Sequence, residues 1–223
     1  LLGYRIAGMI LTSDSPTRAL IEDCKRLGLP VVLVNRAGVT NWGDRVVADN
    51  ETGGQLAAKV LIDSGAMHLG CLVPKRKTYS VSGRSDAFLE AAAQLGILPE
   101  VFYAEDQSYD DARAGINAAD RAILNRVDGL FCATDLMALG ALDALRLDLG
   151  MAVPDQIQVL GFDDIEQASW ASYNLSTIRQ DIVSQAEIVV RLLIERIADG
   201  TLVNRVERQP LTPVLRGTTR HDG

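Results

Sequence analysis

Short apolar runs rich in β-branched residues recur along this chain, and polar residues follow each of them. Residues 6–11 lead into Thr12 and Ser13, and residues 31–34 into Asn35 and Arg36. Residues 69–73 open a loop that reaches Arg84, while residues 101–104 precede Glu105, Asp106 and Tyr109. Residues 130–133 lead into Thr134 and Asp135, and residues 157–161 into Phe162, Asp163 and Asp164. Apolar runs without alternation suit strands covered on both faces. Helical patterns separate most of them, over residues 16–27, 82–95, 110–124, 136–149 and 182–198, and another follows the short strand 46–48. Such β-α-β alternation predicts an α/β chain with doubly wound parallel sheets. Ligands bind such sheets beyond the carboxyl ends of the strands. The polar tips are therefore the candidate lining of a small-molecule site.

Punctuation along the chain agrees with this pattern. Gly28, Gly65, Gly96, Gly150 and Gly200 stand where helices should stop, and Pro30 and Pro154 mark entries into strands. Asp49 and Asn50 are suited to cap a helix, as is Asp135. The tail after Gly200, with Pro210 and Pro213, reads as irregular or edge strand.

Composition excludes several functions. A net charge of −7 disfavours nucleic acid as the main partner of these 223 residues. The cysteines Cys24, Cys71 and Cys132 are odd in number and widely spaced, which argues against a disulfide framework or a zinc site and fits a reducing cytoplasm. Cys71 and Cys132 sit in strand runs, as buried inert thiols do. No apolar run approaches the ~18 residues of a membrane span. The start at Leu1, without Met and directly before a strand, reads as a cut into a longer protein. No metal site or cofactor is expected.

No GxGxxG follows a strand, and GxxxxGK[ST], HExxH and GxSxG are absent. The histidines, His68 and His221, have no nucleophile partner nearby in sequence. An enzyme is not expected. The basic run Lys75-Arg76-Lys77 reads as a solvated turn.

Three stretches carry a resemblance: VVLVNR with VVADNETGG, ATDLMALGALDAL, and VPDQIQVLGFDDIEQASWASYNLSTIRQ. Together they resemble the effector-binding core of lac-repressor-type transcriptional regulators, over essentially the whole chain. The resemblance implies a periplasmic-binding-protein-like fold, with two α/β subdomains across a cleft and three crossing strands. It places residues 1–48 plus 180–200 in an incomplete N-subdomain, and 49–179 plus 201–223 in a C-subdomain. It also implies a homodimer, and operator DNA bound through a helix-turn-helix headpiece that this chain lacks. The alternative on the same fold is a periplasmic sugar-binding protein of a transport system.

The same resemblance assigns effector contacts to Thr12, Ser13, Asn35, Arg84, Tyr109, Thr134, Asp163 and Gln180. Arg84 offers a planar fork of donors for hydroxyls or a carboxylate. Asp163 accepts from adjacent hydroxyls. Thr134 stands where relatives carry Asn, and Asn35 where they often carry Asp. Tyr109 offers a face for a sugar ring or a base, and Trp42 is a weaker aromatic candidate. A sugar or sugar acid fits Arg84 with Asp163, with a purine as the alternative through Tyr109. Asp164 reads as structural and Arg36 as a surface residue. Leu139, Trp170 and Ala171 fall at positions the family uses for dimerisation, and Leu142 in the core.

Overall fold

A computed structural model describes residues 6–12, 18–36 and 42–220. The described chain divides into two compact units, Leu1–Asp49 with Asp181–Pro210, and Asn50–Gln180 with Leu211–Gly223. It passes from one to the other three times.

The first unit is a four-stranded sheet in the order β1-β2-β3-β9, all pairs parallel. Its strands are β1 (Met9–Leu11), β2 (Val31–Val34), β3 (Asp44–Ala48) and β9 (Val206–Gln209). Helix α1 (Arg18–Arg26) ends in Lys25 and Arg26, whose charges suit a helix C-terminus. Alternation along β2 builds two cores. Val31 and Leu33 pack with Leu11, Ile21 and Cys24, whereas Val32 packs with Val46, Val189 and Leu192 of α7 (Ile182–Ala198).

The second unit has a six-stranded sheet in the order β10-β8-β7-β6-β4-β5. The strands are β4 (Leu69–Pro74), β5 (Glu100–Ala104), β6 (Gly129–Cys132), β7 (Gln158–Asp163), β8 (Ser176–Gln180) and β10 (Leu211–Val214). All pairs are parallel except β10 with β8. Helices α2 (Asn50–Asp63), α3 (Tyr79–Gln94), α4 (Tyr109–Asn117), α5 (Arg121–Leu124) and α6 (Asp135–Asp143) alternate with the strands. Every residue of β4 and β6 is buried, as continuous apolar runs require. Phe88 stacks on Phe131 at 4.8 Å between centroids, and Phe131 meets Phe162 edge-on at 6.5 Å.

Several expectations are corrected. Residues 110–124 form two helices, because the Asp120 carboxylate accepts the Ala122 N–H at 2.7 Å and starts α5 afresh. Residues 136–149 form α6 and then a π-helical turn, Ala144–Asp148. The tail holds two strands in different sheets, so residues 201–210 belong to the first unit through β9, not to the C-subdomain. Only residues 211–223 join the second unit.

Candidate functional site

Winding in the second sheet reverses between β4 and β6, so the crevice of a doubly wound sheet opens at their carboxyl ends. Helix α3 follows β4 and carries Arg84 to that place. Thr78 starts the helix, its hydroxyl oxygen accepting the Val81 N–H at 3.4 Å. Helix α2 lies close against α3 because glycine occupies the contact: a Cβ on Gly54 would fall 2.2 Å from the Arg84 carbonyl oxygen. That approach brings the first residue of α2, Asn50, onto the arginine.

Arg84 is only 4% exposed. Its Nε donates to Asn50 Oδ1 at 3.0 Å. Its Nη1 donates to the Ala133 carbonyl oxygen, just past β6, and to Asp163 Oδ1, at the end of β7, each at 3.0 Å. The guanidinium lies over the Phe162 ring, its Cζ 3.7 Å from the centroid. Burial pulls its pKa down, while Asp163 pulls it back up; a guanidinium there stays charged.

Gln180, at the end of β8, donates from Nε2 to the same Asp163 oxygen at 2.5 Å. Burial raises the Asp163 pKa, and the Arg84 charge and the Gln180 amide oppose it. Among the described residues, Arg84 Nη2 donates no hydrogen bond and Asp163 Oδ2 accepts none. One donor and one acceptor of this ion pair are thus left over. The Asp163 side chain keeps 28% of its surface exposed. Its backbone has φ +122° and that of Asp164 has φ +61°, a left-handed pair without glycine. Such strain costs of order 1–3 kcal/mol per residue and gathers at ligand clamps.

The other expected residues divide. Thr134 caps α6, its hydroxyl oxygen accepting the Met137 N–H at 3.3 Å, next to the Ala133 carbonyl that holds Arg84. Asp135 is therefore not the cap of that helix; it is buried and reaches Thr177 and Ile165 instead. Asp164 takes the structural part expected of it, accepting from Arg179 at 2.6 Å and Arg216 at 2.7 Å. Tyr109 begins α4 and donates its hydroxyl to Asp143, an oxygen shared with Tyr173. That hydrogen bond pushes the Tyr109 pKa up to about 12. Among the described residues no hydrogen bond or ring contact ties Tyr109 to the Arg84–Asp163 pair.

Leu139 is 3% exposed, so it packs inside the unit with Leu142 and is corrected from interface to core. Trp170 stays 48% exposed, and Ala171 is exposed beside it.

In the first unit, Thr12 follows β1 and is exposed. Asn35 follows β2 with φ +54°, a conformation Asn tolerates. Its Oδ1 accepts the Ala48 N–H at 3.1 Å and the Gln185 amide at 3.4 Å. Ser13 and His221 lie outside the described residues. Trp42 packs against the Leu11–Leu33 core and so serves that core. All three cysteines are free and buried, and burial lifts Cys71 to about 12. Among the described residues no cluster of His, Cys, Asp or Glu fits a metal ion, and no helix is long and apolar enough to cross a membrane.

Sequence reasoning missed Asn50 and the Ala133 carbonyl. Asn50 read as a cap; only its partner, 34 residues on, shows its other use.

These doubly wound units place the chain in the class of periplasmic-binding-protein-like α/β proteins. Residues 58–219 match the family model of the periplasmic binding protein-like domain, and the chain belongs to that family. It is 29% identical over 219 residues, 97% of this chain and 65% of the relative, to the HTH-type transcriptional repressor PurR of Vibrio vulnificus (strain CMCP6). To the PurR repressor of Aliivibrio fischeri (strain MJ11) it is 31% identical over 214 residues, 92% of this chain and 62% of the relative. The chain thus spans less than two thirds of the length of these curated relatives. A solved transcriptional regulator, CelR in complex with cellobiose, superposes with a TM-score of 0.82 at 27% identity, covering 97% of this chain and 67% of that one. The resemblance to lac-repressor-type regulators is borne out, and the relatives are regulators rather than enzymes.

Proposed function

We propose that this chain is the effector-binding core of a bacterial transcriptional regulator and that its effector is a sugar or sugar acid. The observation that carries the reading is the unused pair at the carboxyl ends of the central strands: Arg84 Nη2 and Asp163 Oδ2, one donor and one acceptor, on a buried and strained frame. Adjacent hydroxyls both donate and accept, so a polyol satisfies both atoms at once. A carboxylate of a sugar acid takes the Arg84 fork instead. The cellobiose held by CelR supports a carbohydrate over a purine. The description of the relatives as repressors favours a regulator over a transport receptor.

In this reading the acidic chain senses the ligand in the cytoplasm, and operator DNA is the partner of a helix-turn-helix segment of the parent protein. The chain forms a homodimer through the face that carries Trp170 and Ala171. Ligand alters DNA affinity because it binds two states of the core unequally. Thr134, just past β6, contributes a further polar contact.

Thermal-shift measurement against cellobiose, D-ribose, D-gluconate and adenine tests the reading. A true ligand at about 100 times its Kd stabilises the fold by roughly 2.7 kcal/mol. A sugar or sugar acid should raise the melting temperature, and Asp163→Ala should abolish the rise while the variant stays folded. A rise with adenine alone would overturn the ligand class, and an Asp163→Ala variant that still responds would remove Asp163 from the site.

A further inference from the structure

We infer that Asp135 is a positioning residue for the site: its buried carboxylate holds the strained turn that presents Asp163. The inference rests on Arg84 and Asp163 being the effector contacts. Asp135 opens α6, yet it points under the end of β7 rather than into its own helix turn. Its Oδ1 accepts the Thr177 hydroxyl of β8 at 2.6 Å, and its Oδ2 accepts the Ile165 N–H at 2.9 Å. The carboxylate thereby fastens the residue that follows the two left-handed ones, Asp163 and Asp164. A Cβ on Gly161 would fall 2.1 Å from Asp135 Oδ1, so β7 must carry glycine where the carboxylate passes under it. The fit is made from three elements: α6, β7 and β8.

A buried carboxylate is an expensive tether, and a hydrophobic contact would stabilise the turn at less cost. What the carboxylate adds is two acceptor atoms, one facing β8 and the other the turn that follows β7. The ionisable groups that face it are Asp163 of β7, Arg84 of α3 and Cys132 of β6, the last kept neutral by burial. Burial raises the Asp135 pKa to about 7, helped by the Asp163 charge and opposed by Thr177 and the N–H groups of Ile165 and Asp164. The tether therefore titrates near neutral pH, which gives it a signature that a packing residue lacks.

The test uses isotope-labelled full chain and follows two amide resonances between about pH 5 and about pH 9. The Ile165 N–H reports the tether, and the Gln180 side-chain amide reports where Asp163 sits. Wild type should show an inflection at Ile165 near the value of about 7, lost in Asp135→Asn. Asp135→Asn and Thr177→Val should both displace the Gln180 amide, while Thr177→Ser, which keeps the hydroxyl, should restore it. Thr177→Val leaves the carboxylate in place and decides the matter if Asp135→Asn does not fold. An unmoved Gln180 amide in Thr177→Val, or an Ile165 inflection that survives Asp135→Asn, overturns the inference. In parallel, any of cellobiose, D-ribose or D-gluconate that shifts wild-type melting should bind the two disruptive variants about tenfold more weakly. Unchanged affinity in both would also overturn it. A wild type that answers to none of these ligands would count against the effector reading alone, since the resonances judge the tether without ligand.

Discussion

At Asp44 the chain buries a carboxylate between two guanidinium groups. Arg196 donates to it from Nε at 3.0 Å and Nη2 at 2.7 Å, and Arg205 from its backbone N–H at 2.8 Å and Nη2 at 2.9 Å. Burial alone would raise the Asp44 pKa, but these donors override it and hold the group at about 2. An unfolded aspartate titrates near ~3.9, so the folded state binds its proton less readily. The resulting stability is present above about pH 4 and is lost as pH falls through about 2, a contribution of roughly 2–3 kcal/mol. Urea unfolding at stepwise lower pH should show that acid limb, and Asp44→Asn should flatten it. Nothing near Asp44 in sequence announces this role, since Arg196 stands 152 residues away. Arg84 and Asp163 were legible as polar residues beyond strand ends and, through the family resemblance, as effector contacts, but not as partners, since their contact spans 79 residues.

Among the elements, α2 and α3 decide the site most directly. Gly54 lets the two helices meet, since a Cβ there would strike the Arg84 carbonyl and the Phe88 nitrogen, and Gly53 lets α2 approach the sheet, since a Cβ there would fall 2.7 Å from Phe162 of β7. Gly54→Ala should therefore part the helices, at an overpacking cost of about 1–3 kcal/mol, and loosen Asn50 from Arg84. Differential scanning calorimetry should record a lower melting temperature, with a larger loss of ligand response than the stability change alone explains. Helix α7 was read from its periodicity with its observed ends, because Asp181 caps it through the Ser184 N–H at 2.9 Å. The break between α4 and α5 was not, because Asp120 lies in a stretch whose apolar spacing continues through it. The tail was least legible: β9 and β10 are four residues each, and only their partners β3 and β8 make them strands.

For the whole molecule, one exposed aromatic marks the surface through which two copies are proposed to join. Trp170 follows a 3-10 turn, Glu166–Ser169, and large aromatics anchor interfaces when they meet a partner pocket. Trp170→Arg should weaken self-association at least tenfold in sedimentation equilibrium, with melting of the monomer little changed. Leu139→Ala should instead destabilise the fold by about 2–5 kcal/mol, as a core leucine does. The sequence by itself determined the class of the fold, the parallel strands and the polar tips beyond them, because hydrophobic periodicity and helix stops are local properties of the chain. Only the tertiary structure decided which tips meet, where the tail belongs and that Asp135 lies under β7. Those outcomes depend on strand order and on close helix contacts, and both join residues that are far apart along the chain.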